Sequence, residues 1–236
     1  MQSNYILGFD WDGTICDPFG FVFQQLKFQF RELSNQGFKF FLASGRSLHY
    51  LKKMSEELEI QPCLIAGENG GHIWCNQMQE EQIFGMTEDL LIFAEQVKYL
   101  DIPQGLSEEK KSIWSCDYPI KDVPRIQQII EEFVRDNQFN LKVYNHPDGS
   151  IDVVPLEIAK SNVIQFLSNF EKELKIHYFG DSYNDLPLMQ ADRVKPHCTN
   201  NSAEIVKQVV KNRGGIIAEQ SFGQGVSSIL SQLFEV

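Results

Sequence analysis

The chain has 236 residues, of which 42% are hydrophobic, and its 32 Asp and Glu residues against 21 Lys and Arg residues give a net charge of −11. This length fits one large α/β domain or a domain with a smaller insertion, and the apolar fraction excludes a wholly disordered chain. The negative charge repels a phosphate backbone, so we do not expect a nucleic-acid partner. An acidic protein that binds phosphate needs a local site of opposite charge.

No stretch reaches the roughly 18–20 uninterrupted apolar residues that a membrane span needs, so we expect no membrane partner. The first residues, Met1-Gln2-Ser3-Asn4, lack the basic region of a signal peptide. The five cysteines form no Cys-x-x-Cys pair, which argues against a structural zinc site or a disulfide framework. We therefore expect a cytoplasmic protein with reduced thiols, and we infer no obligate protein partner.

The first third of the chain alternates between strand and helix patterns. Short apolar runs predict buried strands, and apolar residues at helical spacing between them predict helices. Strand and helix in alternation predict a parallel sheet with right-handed crossovers. The predicted elements are strands over 5–9, 38–43 and 63–66, a helix from Phe19 through Val22 and Leu33 that ends at Gly37, and a helix from Leu48 through Leu58.

The pattern changes after residue 71, where a hairpin over 72–84 leads into a block of mixed helices and strands. Asp148-Gly149 lies between two alternating strands and is a strong hairpin signal. We therefore predict an inserted small α+β cap domain over residues 85–156 with its own sheet. Its predicted elements are helices over 88–100 and 123–137, a strand over 112–116, and the two strands of the hairpin.

Helix and strand patterns alternate again from residue 157. Residues 1–84 and 157–236 are therefore predicted to form one α/β core domain with a Rossmann-like, doubly wound parallel sheet. The predicted elements of its second part are a helix through Val163, Phe166, Phe170 and Leu174, strands over 176–180, 194–197 and 215–218, and helices over 203–212 and 226–234.

Polar side chains follow three of the predicted core strands. Asp10 and Asp12 follow the first strand, Ser44 follows the second, and Asp181 and Asp185 follow the strand over 176–180. Ligands bind at the carboxyl ends of such strands, so these groups are predicted to share one crevice. Several packed carboxylates cannot all stay ionised without a cation, and oxygen ligands favour Mg²⁺. A bound Mg²⁺ also inverts the local field for a phosphate.

Lys160 falls at the start of a predicted helix, where a cation opposes the helix dipole at a cost of about 0.3–1 kcal/mol. A phosphate shared with the helix N-terminus would offset that cost. Simpler explanations stay open, because acidic residues also make turns and caps, Lys160 can be a solvated surface residue, and Ser44-Gly45 can merely cap a helix. A twelve-residue calcium loop does not fit, since Ile15 and Leu186 stand where glycine is required.

Four stretches together resemble the motifs of the haloacid dehalogenase superfamily. They come in the order of that family at compatible spacing, with the predicted cap between the second and third, as in its Cof-type branch. That branch includes archaeal phosphoglycolate phosphatases and sucrose-phosphate phosphatases. The four stretches are Asp10-Trp11-Asp12-Gly13-Thr14, Leu42-Ala43-Ser44-Gly45-Arg46, Lys160, and Gly180-Asp181-Ser182-Tyr183-Asn184-Asp185, and Glu68-Asn69-Gly70-Gly71 and Thr199-Asn200-Asn201-Ser202-Ala203 also resemble the branch.

The resemblance implies a Mg²⁺-dependent phosphomonoester hydrolase that acts on a small phosphorylated metabolite of the sugar phosphate or phosphoglycolate type. It implies that Asp10 attacks phosphorus to form an aspartyl-phosphate and that Asp12 acts as the general acid and base. The implied metal ligands are Asp10, the backbone carbonyl of Asp12, Asp181, and Asp185 either directly or through water. The implied phosphate-binding residues are Ser44, Gly45, Lys160 and Asn184.

Two other functions stay open at this point. A phosphomutase of the same superfamily would need a cap that retains a sugar bisphosphate, and no motif in the predicted cap argues for one. A non-catalytic phosphate-sensing module would be expected to lose Asp10, Asp12 or Lys160, and this chain has all three.

Overall fold

Two sheets and the helices around them organise the chain in a computed structural model, which describes residues 5–107, 109–146, 148–167, 175–234 and 236. The strands and helices are, in chain order, β1 (Tyr5–Phe9), α1 (Gln24–Asn35), β2 (Lys39–Ala43), α2 (Leu48–Glu57), β3 (Leu64–Gly67), β4 (His72–Cys75), β5 (Glu80–Ile83), α3 (Glu88–Gln96), β6 (Trp114–Asp117), α4 (Val123–Asp136), β7 (Leu141–Asn145), β8 (Ser150–Pro155), α5 (Val163–Leu167), β9 (Lys175–Phe179), α6 (Leu186–Met189), β10 (Val194–His197), α7 (Glu204–Asn212) and α8 (Phe222–Phe234).

The larger sheet has the strand order β10-β9-β1-β2-β3-β4-β5. The strands from β10 to β3 run parallel, and β4 and β5 add an antiparallel edge. Successive side chains of a strand point to opposite faces, and both faces of this sheet are apolar and covered by helices. One face packs on α1, α2 and α8, and the other packs on α5, α6 and α7. This arrangement confirms the predicted doubly wound α/β fold.

The register of the central strands brings their carboxyl ends to one edge. Phe9, the last residue of β1, lies opposite Phe179 of β9 and Leu42 of β2. The residues that follow these strands, including Asp10, Ser44 and Asp181, therefore begin at the same edge of the sheet.

The smaller sheet is antiparallel, with the order β6-β8-β7. It packs with α3 and α4 around an apolar cluster that includes Phe93, Ile130 and Val153. These elements match the helices and strands predicted for the inserted block. The proposed division at residues 84/85 and 156/157 stays a prediction.

The predicted first helix is wrong at its start, because α1 begins at Gln24 rather than at Phe19. The Asp17 carboxylate accepts hydrogen bonds from the backbone N–H groups of Phe19 and Phe21, both at 2.9 Å, and this local turn competes with a helix. Val22 forms a β-bridge with Cys16, and 84% of Phe19 is exposed to solvent. An aromatic residue at helical spacing was therefore not part of a helix.

The predicted strand over 215–218 is also wrong. The structure has a single bridge there, between Ile217 and Cys198, because only Cys198, just beyond the end of β10, exchanges backbone hydrogen bonds with Ile216 and Ala218. The terminal helix α8 begins at Phe222, ahead of the predicted Val226. Phe170 and Leu174 of the predicted helix after Val163 lie outside the described residues. Among the helices of the described ranges, none has the length and apolar character to cross a bilayer.

Two histidines form a buried pair between β9 and β10. The rings of His177 and His197 stack with an angle of 3° between their planes, and His177 Nδ1 lies 2.8 Å from His197 Nε2. His197 Nδ1 accepts from the Ile216 N–H, which assigns the proton to Nε2 and makes His197 the donor to His177. Burial lowers the pKa of His177 to about 4 and the pKa of His197 to about 3, so both rings are neutral in the folded protein.

We expect the substitution His177→Phe to reduce the loss of stability in acid. A histidine with a lower pKa in the folded chain takes up protons on unfolding, so stability falls as the pH drops below about 6.5 toward the folded value. Removing one such group should reduce the decrease in the free energy of unfolding between pH 7.5 and 5.0 by about 1–2 kcal/mol, measured by urea denaturation. The matched control is His49→Gln at an exposed histidine. Equal pH dependence in His177→Phe and the wild type would contradict this assignment.

Candidate active site

A buried lysine joins two of the predicted carboxylates. Lys160 lies in a short 3₁₀ turn ahead of α5, and its side chain is fully buried. Its Nζ donates to Asp10 Oδ1 and to Asp185 Oδ1, each at 2.7 Å. Burial alone lowers the pKa of a lysine, but the two carboxylates raise the pKa of Lys160 above its usual value, so its ammonium stays charged. The simpler explanation of Lys160 as a surface residue is therefore wrong.

Asp185 accepts a hydrogen bond at every acceptor position of its carboxylate. Oδ1 accepts from Lys160 Nζ at 2.7 Å and from the Tyr178 hydroxyl at 2.6 Å. Oδ2 accepts from the backbone N–H groups of Asp181 and Ser182, both at 3.0 Å. An ionised carboxylate has about four lone-pair sites, so these donors occupy all of them.

Asp181 completes a cluster of acidic side chains with Asp10 and Asp185. One oxygen of each lies within 4.8 Å of the others, and Thr14 Oγ1 donates to Asp181 Oδ1 at 3.1 Å. Burial raises the pKa of Asp10 to about 6, against the lowering effect of Lys160. Burial and the adjacent carboxylates raise the pKa of Asp181 well above its usual value. Carboxylate oxygens that lie this close and repel one another fit a small hard cation such as Mg²⁺.

The side chain of Asp12 lies outside this cluster. Arg46 holds it in a two-point ion pair, with Nε donating to Oδ2 at 2.7 Å and Nη2 donating to Oδ1 at 2.9 Å. Nη2 also lies 3.4 Å from Oδ2 of Asp148, in the hairpin between β7 and β8. Arg46 thus connects the loop after β1 with the smaller sheet. The expected contact of a metal with the Asp12 backbone carbonyl stays a prediction.

Ser44 and Gly45 follow β2 at the same edge of the sheet. Ser44 is buried, and its backbone carbonyl accepts from the Asn69 N–H at 2.9 Å. A Cβ atom at Gly45 would lie 3.2 Å from Asp152 Oδ2 of β8, which is tighter than ordinary contact. The loop with the predicted phosphate-binding backbone therefore lies directly against a carboxylate of the smaller sheet.

Asn184 reaches the smaller sheet through a chain of amide hydrogen bonds. Its Nδ2 donates to Asn69 Oδ1 at 2.9 Å, and Asn69 Nδ2 donates to Asp152 Oδ2 at 3.1 Å. Asn69 adopts a left-handed backbone with φ of 57°. Asp152, which is 1% exposed, also accepts from Lys110 Nζ and contacts His146 Nε2, both at 3.1 Å. Lys110 and His146 keep the pKa of Asp152 low despite its burial.

Sequence reasoning gave no role to several residues that organise this site. The sequence did offer an indication for Asp152, because an acidic residue within the apolar run of β8 needs a buried partner. Arg46 and Asn69 belong to stretches that resemble the family motifs, but that resemblance predicted no contact for either side chain. Tyr178 had no signal, because a tyrosine within the apolar strand β9 looks like any core aromatic residue.

A sequence profile of haloacid dehalogenase-like hydrolases matches residues 7–101 and 95–230. The chain belongs to this family of hydrolases. A 5-amino-6-(5-phospho-D-ribitylamino)uracil phosphatase from Bacillus subtilis is 19% identical, with 95% of this chain and 94% of the relative covered. The predicted family and the predicted enzyme class of hydrolase are confirmed.

Solved structures show the same fold. The sucrose-phosphatase from Synechocystis sp. PCC6803, solved with sucrose and phosphate, has a TM-score of 0.73 at 17% identity and covers 98% of both chains. A haloacid dehalogenase-like hydrolase from Bacteroides thetaiotaomicron has a TM-score of 0.74 at 16% identity, covering 98% of this chain and 99% of that chain. The roles of the individual site residues stay predictions.

We expect Asp181→Asn to abolish stabilisation by Mg²⁺ without destabilising the metal-free protein. The substitution keeps an acceptor for Thr14 and removes the repulsion between Asp181 and Asp10. In the wild type, Mg²⁺ at about 100 times its dissociation constant should add about 2.7 kcal/mol of stability, visible as a rise in Tm of several degrees. Differential scanning calorimetry at pH 8 with and without Mg²⁺ measures both effects. Asp192→Asn, at an exposed acid, is the control and should keep the rise. A full rise in Asp181→Asn would rule Asp181 out as a ligand.

Proposed function

We propose that this hydrolase is a Mg²⁺-dependent phosphatase that cleaves the phosphate monoester of a small metabolite through an aspartyl-phosphate on Asp10. The observation that carries the proposal is the buried Lys160, which joins Asp10 and Asp185 beside Asp181. This arrangement would provide an attacking carboxylate, a fixed cation and an oxygen donor set at one edge of the sheet. The Bacillus and Synechocystis phosphatases support a polyhydroxylated leaving group of the sugar phosphate type.

Asp10, Asp181 and the backbone carbonyl of Asp12 would hold the Mg²⁺ ion. When bound, the ion neutralises these carboxylates and withdraws charge from the phosphate oxygens. The raised pKa values of Asp10 and Asp181 support this proposal, because burial and the neighbouring carboxylates disfavour the ionised forms and a cation would offset both effects.

The chain's own residues would carry the two chemical steps. In the first, a carboxylate oxygen of Asp10 bonds to phosphorus, the bond from phosphorus to the leaving oxygen breaks, and Asp12 gives a proton to that oxygen. In the second, Asp12 takes a proton from water, the water oxygen bonds to phosphorus, and Asp10 leaves as a carboxylate. Ser44, Gly45, Lys160 and Asn184 would hold the phosphoryl oxygens throughout.

Arg46 pairs with both oxygens of Asp12 in the structure and so fixes the orientation of that carboxylate. Separation of this ion pair would let Asp12 turn toward the leaving oxygen before the first step. Asp148, in the hairpin between β7 and β8, is the second carboxylate that Arg46 contacts. We propose that the closing cap supplies this alternative partner.

Residues 85–156 are proposed to form the cap that covers the leaving group and excludes bulk water. The contacts of Asp152 with Asn69 and of Asp148 with Arg46 support that placement. The expectation of no nucleic-acid, membrane or obligate protein partner and the expected cytoplasmic location stay predictions.

We expect Asp10→Asn to abolish turnover of p-nitrophenyl phosphate in Mg²⁺ without unfolding the protein. An amide cannot replace the attacking carboxylate, so the rate should fall by more than about 10³-fold. Release of p-nitrophenol measures the rate, and circular dichroism checks the fold. Asp192→Asn should keep wild-type activity. Wild-type activity in Asp10→Asn, or in excess chelator, would disprove the proposed mechanism.

Asp12→Asn should separate the two steps. p-Nitrophenolate leaves without protonation, so the first step should proceed, whereas the second step lacks its base. We expect a rapid release of about one equivalent of p-nitrophenol followed by near-complete arrest, the kinetic sign of an accumulated covalent enzyme. Stopped-flow absorbance measures the release, and mass spectrometry should find one phosphoryl group on Asp10. Steady turnover at the wild-type rate would exclude Asp12 as the general base.

A further inference from the structure

Tyr178 provides one of the donors that fill the Asp185 carboxylate. Its hydroxyl donates to Asp185 Oδ1 at 2.6 Å and lies 3.4 Å from the Ala43 carbonyl oxygen. Tyr178 is fully buried in β9, and its ring stacks on Phe41 of β2 with centroids 5.9 Å apart and 9° between the planes. Packing on two neighbouring strands fixes the hydroxyl at this position.

The hydroxyl of Tyr178 is the donor in its hydrogen bond to Asp185, because an ionised carboxylate can only accept. The backbone N–H groups of Asp181 and Ser182 are also donors, and Lys160 is the fourth donor. A metal ion reaches Asp185 directly only by displacing one of them.

We propose that Tyr178 is a positioning residue that keeps Asp185 out of direct contact with the metal. The hydroxyl occupies an acceptor position of Asp185 Oδ1, so Asp185 orients Lys160 and the loop at Asp181 instead of ligating the ion. Asp10 and Asp181 are then the acidic side chains that bind the metal. This inference rests on the proposed function, because it concerns the same metal site.

The absence of a third carboxylate ligand has a consequence for metal selectivity. Mg²⁺ is held in an octahedral shell that retains several waters, whereas Ca²⁺ takes six to eight oxygens and accepts carboxylates that bind through both oxygens. Without the Tyr178 hydroxyl, one acceptor position of Asp185 Oδ1 would open, and a further carboxylate oxygen suits the larger shell of Ca²⁺ better than the octahedral shell of Mg²⁺. Tyr178 thus favours Mg²⁺ over Ca²⁺ by withholding that ligand.

The test compares metal binding in the wild type, Tyr178→Phe and Phe41→Leu. Isothermal titration calorimetry on metal-free protein gives the dissociation constants for Mg²⁺ and Ca²⁺ separately. In Tyr178→Phe, Ca²⁺ affinity relative to Mg²⁺ affinity should rise about tenfold, because an added carboxylate oxygen favours Ca²⁺. Phe41→Leu loosens the same packing but keeps the hydroxyl, so its ratio should match the wild type.

The inference is overturned if the ratio of Ca²⁺ to Mg²⁺ affinity in Tyr178→Phe lies within twofold of the wild-type ratio. It is also overturned if Phe41→Leu changes this ratio as much as Tyr178→Phe does. If Tyr178→Phe does not fold, electron spin echo spectroscopy of Mn²⁺ in the wild type, with ¹⁷O-labelled water, counts the bound waters directly. At least three waters are expected beside Asp10, Asp181 and a carbonyl oxygen, and fewer would place Asp185 on the ion. Failure of the wild type to bind any divalent ion would instead refute the proposed function.

Discussion

The ammonium group of Lys160, enclosed between Asp10 and Asp185, is the interaction on which the rest of the site depends. Removing one partner of a buried ion pair costs about 3–5 kcal/mol, because the remaining charge has no compensation. Asp10 follows β1, Lys160 lies ahead of α5 and Asp185 follows β9, so one set of contacts joins three segments at one edge of the sheet. The position of each of these groups therefore depends on the other two.

A second set of polar contacts crosses between the two sheets. Asn69 connects Asn184 of the core to Asp152 of β8, and Glu68 beside it accepts from the Ser112 N–H and hydroxyl, each at 2.7 Å. These side chains are almost completely buried. Buried polar networks of this kind have a low tolerance for displacement, since each unpaired member is costly. The position of the smaller sheet is thus coupled to the residues expected to hold the phosphate.

The sequence was sufficient for the parallel core, because its strands are buried on both faces and read as continuous apolar runs. It also placed Asp10, Asp181 and Asp185 at one edge, since strand ends determine where such residues begin. The start of α1 was not predictable from periodicity, because the Asp17 carboxylate stabilises a competing turn. Contacts between distant side chains, such as Tyr178 with Asp185, follow from tertiary packing and leave no pattern in the local sequence.

The pairing of β1 between β2 and β9 affects how the chain folds while it is being synthesised. One edge of β1 can pair with β2 soon after both are translated, but the other edge stays unpaired until residues 175–179, which form β9, have been translated. During that interval a hydrophobic strand offers unpaired backbone groups, which is the condition that promotes association between nascent chains. The intervening smaller sheet, with its short-range antiparallel pairs, can form during the same wait.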